Sequence, residues 1–315
     1  MSLRIAVQMD PIESVDVDAD TTFALMEEAQ ARGFELFVYH PDQLAWLEGR
    51  IVARARPVRV KHVQGEHAEL GNEIDLDLAE DADVVLMRQD PPFDMAYITA
   101  AHILEGLAGK TLVLNDPAWV RSSPEKIVPL DFPELVPPTL ISRDPERIKA
   151  FRAQYEDIIV KPLYGNGGAG VFRIKPGDSN LNSLLEMFFA QNREPVVVQA
   201  FLPAVSAGDK RVLLIDGEPV GAINRVPQKG ETRSNMHVGG VAEASDLDEA
   251  DLRICRAIGP MLKERGLMLV GIDVIGGLLT EINVTSPTGV QELKRFSGID
   301  TCVRFWDAVQ RKLTH

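Results

Sequence analysis

Cysteine is scarce in this chain. Only Cys255 and Cys302 occur in 315 residues. Both fall in stretches of helical period, and two small buried or half-buried thiols make neither a disulfide framework nor a zinc-ligand pattern. No run approaches 18 apolar residues, so no membrane-spanning helix is expected. The first ten residues, M-S-L-R-I-A-V-Q-M-D, contain an apolar strand too short for a secretory core and without a cleavage site. These absences point to a cytoplasmic protein. Positive charge is also short: 33 Lys and Arg stand against 47 Asp and Glu, a net charge of −14. That balance argues against nucleic acid or an anionic membrane as partner. An acidic protein that handles anionic substrates has to gather its cations locally, so basic residues beside glycines carry information. Internal repeats and low-complexity tracts are absent as well. What is present is an ordinary globular composition, 45% hydrophobic and 25% charged, over a length that allows two or three domains.

Residues 1–122 read as an α/β domain with a mostly parallel sheet. Apolar strands at 3–9, 35–39, 83–88 and 111–115 alternate with helices at 20–32 and 96–107. Asp20 is a good helix cap, and Gly33 closes that helix. Residues 50–63 alternate like the edge of a hairpin. Ligands of such sheets bind beyond the carboxyl ends of the strands. Arg88, in R-Q-D-P-P-F-D, lies at such an end. Its guanidinium suits a carboxylate clamp through two parallel hydrogen bonds, or a plain surface ion pair. The pattern changes near Ser123. Ser123-Pro124-Glu125-Lys126 is expected to open a short helix with Pro at an early position. Residues 123–202 then give an α+β unit with strands at 139–142, 157–161, 170–175 and 194–199 and helices at 145–155 and 180–191. Residues 203–315 give a second, with a hairpin turned at Asp216-Gly217, an amphipathic helix within 246–266, an acidic hairpin, and helices at 290–296 and 300–314.

The acidic hairpin runs G-I-D-V-I-G-G-L-L-T-E-I-N-V-T-S-P-T-G from Gly271 to Gly289. Ile272, Val274, Ile282 and Val284 sit at period two on a face that should be buried. Asp273, Glu281 and Asn283 take the other parity, and oxygen donors on a rigid strand suit a hard cation such as Mg²⁺. Register decides whether they meet. A two-residue Gly276-Gly277 turn pairs Asp273 with Thr280, whereas a three-residue loop from Gly276 to Leu278 pairs Asp273 with Glu281. The three-residue loop is the expectation. An ordinary hairpin with a solvated acidic face is the bland alternative.

Gly165-Asn166-Gly167-Gly168-Ala169-Gly170 fits G-x-G-x-x-G to the letter. A dinucleotide site needs a helix next, but V-F-R-I-K follows, which is a strand. The Gly-Lys-Ser/Thr ending of a Walker A loop is also missing. A glycine loop between two strands is a flap whose amides can close over phosphates, or else a flexible hairpin tip. Lys161 ends the strand that enters it and can reach phosphate oxygens as a point charge. The strand at 194–199 then runs into Ala200-Phe201-Leu202, an irregular edge that could meet a purine. Residues 225–240, R-V-P-Q-K-G-E-T-R-S-N-M-H-V-G-G, have no period and carry Arg225, Lys229 and Arg233. A loop of that length in a compact domain reads as a lid. His237 reads as a surface residue of it.

Taken in order, M-R-Q-D-P-P-F-D (87–94), E-K (125–126), I-I-V-K-P-L-Y-G-N-G-G-A-G (158–170), G-D-K-R-V-L-L-I-D-G-E-P-V (208–220), R-V-P-Q-K-G-E-T-R-S-N (225–235), V-G-I-D-V-I-G (270–276) and L-T-E-I-N-V-T-S-P-T-G (279–289) resemble the ATP-grasp superfamily. Within it they resemble bacterial glutathione synthetases over nearly the whole chain. The resemblance implies an N-terminal substrate domain at 1–122, a central ATP-grasp subdomain at 123–202 and a C-terminal one at 203–315. It implies joining of γ-glutamylcysteine to glycine with ATP, through an acyl phosphate, giving glutathione, ADP and phosphate. It also implies a nucleotide held by Lys126, Lys161, Gly165, Gly167, Gly168, Gln199, Phe201, Leu202 and Asp209, with Arg211, Arg225 and Arg233 on the phosphates or acyl phosphate. Two Mg²⁺ or Mn²⁺ ions would rest on Asp273, Glu281 and Asn283, and the dipeptide on Arg88, Ser286, Thr288 and Gly289. A cytoplasmic homotetramer is implied too. Gln89 and Ser234 depart from the pattern, where lysine and glycine are expected. Another ATP-grasp carboxylate–amine ligase, a nucleotide-binding module without turnover, and a nicotinamide enzyme are the competing readings. The last fails for want of the helix after the glycines.

Overall fold

The computed structural model describes residues 2–228, 233–234 and 239–314. Short apolar runs bounded by turn residues become the strands of the first sheet: β1 (Arg4–Gln8), β2 (Glu35–Tyr39), β3 (Leu44–Leu47), β4 (Arg50–Val60), β5 (Ala68–Leu70), β6 (Ile74–Asp77), β7 (Val84–Met87) and β8 (Leu112–Leu114). Helices α1 (Thr21–Ala31), α2 (Met95–Glu105) and α3 (Pro117–Ser122) connect or follow them. Each helix starts on an aspartate, Asp20, Asp94 or Asp116, whose side chain accepts from a first-turn amide. The sheet is less parallel than the sequence suggests. Only β2-β1-β7-β8 are parallel, and β3, β5 and β6 add antiparallel edges to the long β4. Four- and three-residue edge strands carry too few alternations to be read from the chain.

The helix expected to open at Ser123 is absent. It lies one step earlier, as α3, because Asp116-Pro117 supplies both the cap and the first helical residue. Pro124 biases Ser123 away from the α region, and Ser123 sits at φ −120°, ψ 66°. A short 3-10 turn follows at Val128–Asp131.

The second sheet has the order β11 (Phe172–Ile174), β10 (Ile158–Pro162), β12 (Val196–Ala200), β9 (Thr139–Ser142), all antiparallel, with α4 (Pro145–Tyr155) and α5 (Leu181–Gln191) against it. The third has β15 (Val241–Ser245), β14 (Glu218–Val226), β13 (Asp209–Ile215), β16 (Leu269–Ile275) and β17 (Leu278–Asn283) in that order, again antiparallel. Helices α6 (Glu249–Glu264), α7 (Val290–Ser297) and α8 (Thr301–Leu313) complete it. β14 takes in Arg225 and Val226, so the aperiodic stretch begins at Pro227 rather than Arg225. Lys229 and His237 lie outside the described residues.

The hydrophobic clusters do not follow the chain order. Two of them mix residues of the first and third sheets, such as Ala6 and Val85 with Val212 and Ile272, and Ile5 and Phe23 with Leu213 and Trp306. The third is confined to 148–198 and belongs to the second sheet alone. Asn115 rivets the first and third sheets together. Its side-chain amide donates to Leu269 O (2.8 Å) and Val284 O (2.7 Å) and accepts from Leu269 N (2.9 Å).

Candidate active site

The metal-type hairpin is built by a route the sequence reading did not foresee. Ile275 pairs with Leu278, so the turn is the two-residue Gly276-Gly277, with both glycines at positive φ. The register then slips by one between Asp273 and Val274, and Asp273 pairs with Glu281 after all. The slip is a β-bulge at Thr280, whose hydroxyl donates to Asp273 O at 3.1 Å. A turn too short to align the two acids is thus corrected by one extra residue in β17.

Both acids are held ionised by cations from other elements. On Asp273, Arg211 lies bidentate, with Nε to Oδ1 at 2.6 Å and Nη2 to Oδ2 at 3.2 Å, and Arg225 Nη2 lies 3.0 Å from Oδ1. Burial opposes ionisation of Asp273, but the two guanidiniums outweigh it and hold the carboxyl well below its ordinary range. On Glu281, burial is likewise outweighed by Lys126 and Lys161. Lys161 Nζ donates to Glu281 Oε1 at 3.0 Å, and Lys126 Nζ stands 3.9 Å away. Lys126 arrives there because Glu125 O accepts from Ile282 N (3.0 Å), which lays that segment along the β17 edge. Lys126 also donates to Gly165 O in the flap. Asn283 Nδ2 donates to Gly271 O at 3.1 Å, which leaves its amide oxygen to point elsewhere.

Asp209 continues the network. Its Oδ2 accepts from Arg225 Nη2 (2.7 Å) and from Ser234 Oγ (2.9 Å). Burial pushes its carboxyl up to about 6 against the pull of Arg225. The serine that departs from the family pattern therefore makes a contact that a glycine has no atoms to make.

These groups face a cleft of about 890 Å³ of empty space between the second and third sheets. Lys126, Lys161, Gly165, Gly167, Gly168, Gln199, Phe201, Leu202, Asp209, Arg233, Asp273 and Glu281 all line it. Ile159, Val205 and Ile275 give it apolar walls. Phe201 is backed by Arg173, whose guanidinium carbon lies 3.5 Å from the ring centroid. Arg173 is itself fixed by a bidentate pair with Asp157. Over one end runs the glycine turn. A Cβ on Gly165 would stand 2.4 Å from Pro162 Cγ, so only glycine lets the flap fold back this closely.

Among the described residues, Arg211, Arg225 and Asn283 do not line the cleft; the two arginines meet it through Asp273 and Asp209, and Asn283 lies on β17. Arg88, Ser286, Thr288 and Gly289 form a separate group. Arg88 Nη2 donates to Pro287 O (3.2 Å), Ser286 Oγ donates to Asp90 Oδ1 (2.8 Å), and Arg211 Nη1 donates to Thr288 O (3.2 Å). Arg211 thereby links this group to the acid pair. Gly289 caps α7 in a left-handed conformation at φ 116°. The sequence reading gave Glu125 and Asp90 no part. Glu125 is a half-buried carboxyl raised by desolvation and by the Glu281 charge, and it accepts from Thr285 Oγ1 at 2.9 Å. Its only sequence signal is adjacency to Lys126.

Among the described residues no cluster of three His, Cys, Asp or Glu could hold a metal. Two ionised carboxylates on paired strands plus an amide oxygen nevertheless fit a hard cation that takes its remaining ligands from phosphate and water.

Two antiparallel sheets facing each other across a lysine-lined cleft, with a glycine turn over one end, define the ATP-grasp class. The ATP-grasp ligase PsnB, solved with a minimal precursor, has this fold, with a TM-score of 0.64 over 98% of this chain and 99% of that one at 20% identity. Residues 3–121 match the prokaryotic glutathione synthetase N-terminal domain, and residues 125–298 match the ATP-grasp domain of the same family. Proteins called glutathione synthetase from Mesorhizobium japonicum and Brucella melitensis are 59% and 57% identical to it over 312 residues, spanning 99% of this chain and 99% and 100% of theirs. The chain belongs to the prokaryotic glutathione synthetase family.

Proposed function

We propose that this protein joins γ-glutamylcysteine to glycine at the expense of ATP, yielding glutathione, ADP and phosphate. The observation that carries the reading is the cleft, where two lysines, a glycine flap and two ionised acids converge at one end and an apolar edge forms the other. ATP is a co-substrate. Its base lies against Gln199–Leu202 and its phosphates against Lys126, Lys161 and the flap glycines Gly165, Gly167 and Gly168, with Asp209 toward the ribose. Asp273, Glu281 and Asn283 would hold two Mg²⁺ or Mn²⁺ ions, which would supply neutralisation of phosphate charge.

The chain's own work is positioning and charge compensation. Arg211, Arg225 and Arg233 stand toward the transferring phosphoryl. Arg88, Ser286, Thr288 and Gly289 hold the dipeptide so that its cysteinyl carboxylate meets the γ-phosphorus. ADP leaves, the glycine amine attacks the acyl phosphate carbon, and phosphate leaves. No protein nucleophile takes part. The division into residues 1–122, 123–202 and 203–315, a homotetrameric assembly and a cytoplasmic location belong to the same proposal. No helix among the described residues is long and apolar enough to cross a membrane.

The test is ADP release by the purified protein with Mg-ATP and γ-glutamylcysteine, with and without glycine, and with D-alanine as control acceptor. Glycine-dependent release with a product of glutathione mass is the expected result. Turnover with a different acid or amine moves the substrate within the ligase class, and nucleotide binding without any turnover overturns the enzyme.

A further inference from the structure

The lobe of the second sheet keeps its hydrophobic core within residues 148–198. The root of its glycine flap is nevertheless tied to the rest of the molecule. Two of the ties are polar. Lys161 Nζ donates to Glu281 Oε1 at 3.0 Å, and Lys126 Nζ donates to Gly165 O. A third is apolar. Tyr164, the residue before the first flap glycine, stacks on Phe93, with ring centroids 5.8 Å apart and an interplanar angle of 27°. Phe93 lies in the loop between β7 and α2, and its ring also meets that of Tyr97 on α2 at 5.3 Å. Tyr97 is buried in a cluster that the first and third sheets share, and Phe93 packs against that cluster. Tyr164 is 39% exposed. A row of three rings thus runs from the flap into a core that the flap's own lobe does not enter.

The loop that carries Phe93 is fixed at both ends. At its start, Arg88 N donates to Gln8 O (2.8 Å) and Arg88 Nη2 to Pro287 O (3.2 Å). Asp90 N donates to Asp10 Oδ2 (2.7 Å), and Asp90 Oδ1 accepts from Ser286 Oγ (2.8 Å). At its end, Asp94 caps α2. Between them Pro91 and Pro92 have no amide proton to give to a sheet or a helix. Phe93 is therefore placed by packing and by whatever steadies the start of the loop. Arg88 and Ser286, which steady it, are two of the residues given to the dipeptide under the ligase reading.

The three ties answer differently to ligands. Phosphates arriving at Lys126 and Lys161 compete for the ammonium groups that now bond Gly165 O and Glu281, so the polar ties weaken. The aromatic stack has nothing that phosphate can take, so it persists on a loaded cleft. We infer that Phe93 and Tyr164 form a clasp that makes donor and nucleotide binding cooperative: the donor steadies the loop that presents Phe93, and the stack on Tyr164 then holds the flap over the phosphates. This goes beyond the ligase reading and rests on it. Both rings are positioning residues, and neither touches a reacting atom. Coupling between two binding events is reciprocal, so the nucleotide tightens the donor by the same factor. A stacked pair of this kind accounts for a factor of roughly 2 to 10.

The experiment is a calorimetric titration with Mg²⁺ and a non-hydrolysable ATP analogue, with and without saturating γ-glutamylcysteine. The wild type is expected to bind the analogue roughly fivefold more tightly with the donor present. Tyr164→Phe is expected to keep that ratio, since the stack needs the ring and not the hydroxyl. Tyr164→Ala and Phe93→Leu are expected to bring the ratio below about twofold, with donor-free affinity still near that of the wild type, and the double variant to lose no more than either single one. Melting temperatures report whether the variants fold. If Phe93→Leu does not, the two variants of half-exposed Tyr164 decide. Variants that weaken binding by one common factor with and without donor, the mark of a structural role, overturn the clasp. So does a Tyr164→Ala protein that keeps the wild-type ratio. A wild type that makes glutathione but binds the analogue equally well with and without donor also overturns the clasp and leaves the ligase standing. A wild type that makes no glutathione overturns the ligase reading and the clasp with it.

Discussion

At the scale of single residues, the site depends on buried charges that satisfy one another. Asp273 has three nitrogen contacts from two arginines, and Arg211 spends its third donor direction on Thr288 O. A planar fork is needed for that geometry, and lysine has none. Arg211→Lys is therefore expected to lower kcat/KM roughly 100-fold, measured by ADP release, because the bidentate bond to Asp273 and the link to the 286–289 loop are lost together. Its melting temperature should fall too, since an incompletely paired Asp273 remains buried. Glu281 presents the complementary case. Glu281→Gln removes the charge that both lysines face, so the free protein is destabilised while its affinity for ATP alone, without metal, rises several-fold in a calorimetric titration. The two cysteines play no such part. Burial pushes both Cys255 and Cys302 up to about 12, and thiol reagents should leave activity unchanged over the time in which free cysteine reacts fully.

At the scale of elements, the flap and one surface tether make distinct expectations. Gly165→Ala drives a methyl into Pro162 and displaces the carbonyl that Lys126 holds, so KM for ATP should rise tenfold or more. In the first sheet, His62 ties the loop after β4 to α1, bonded through Nε2 to Asp18 and through Nδ1 to Glu27. Those two carboxylates raise its pKa. The folded form thus binds the proton more tightly than the unfolded one, and the tether's stabilisation is complete below the unfolded value near 6.5. It is lost as pH rises through the higher folded value. The melting temperature of wild type should exceed that of His62→Gln at pH 6, and the gap should close by pH 9. Much of this architecture was legible in the chain. Asp20 marks a helix start because capping is a local property, and the antiparallel β13–β14 turn at Asp216-Gly217 is also local. The pairing of Asp273 with Glu281 was legible, but the means was not. A bulge is set by what β16 and β17 pack against, and no residue type announces it. Asp116-Pro117 was legible and passed over in favour of Ser123-Pro124. The Asp209–Ser234 bond and the place of Glu125 beside Glu281 are meetings of distant segments, which periodicity does not carry.

At the scale of the whole molecule, the first and third sheets share two hydrophobic clusters and the Asn115 rivet, whereas the second sheet keeps a core to itself. The part free to move is therefore the lobe of residues 139–200, joined through Pro137-Pro138 on one side and Phe201–Pro203 on the other. Amide hydrogen exchange should show that lobe opening at lower free energy than the rest, and Mg-ATP should slow its exchange more than that of β1 or β7. Uniform exchange across the three sheets would contradict it. The mutual pairing of acids and bases in the free cleft has a consequence for how ligands arrive. Each lysine already has its counter-ion in Glu281, and Asp273 already has its own in the arginines. On the proposed function, incoming phosphates and metals would not meet bare charges; they would trade places with internal ones, phosphate for carboxylate on the lysines and metal for guanidinium on Asp273. The cleft works as an ion exchanger. Its net charge changes little on loading, so affinity for Mg-ATP should vary less than about tenfold between 50 and 500 mM salt, and departing products leave behind a protein that re-forms its own salt.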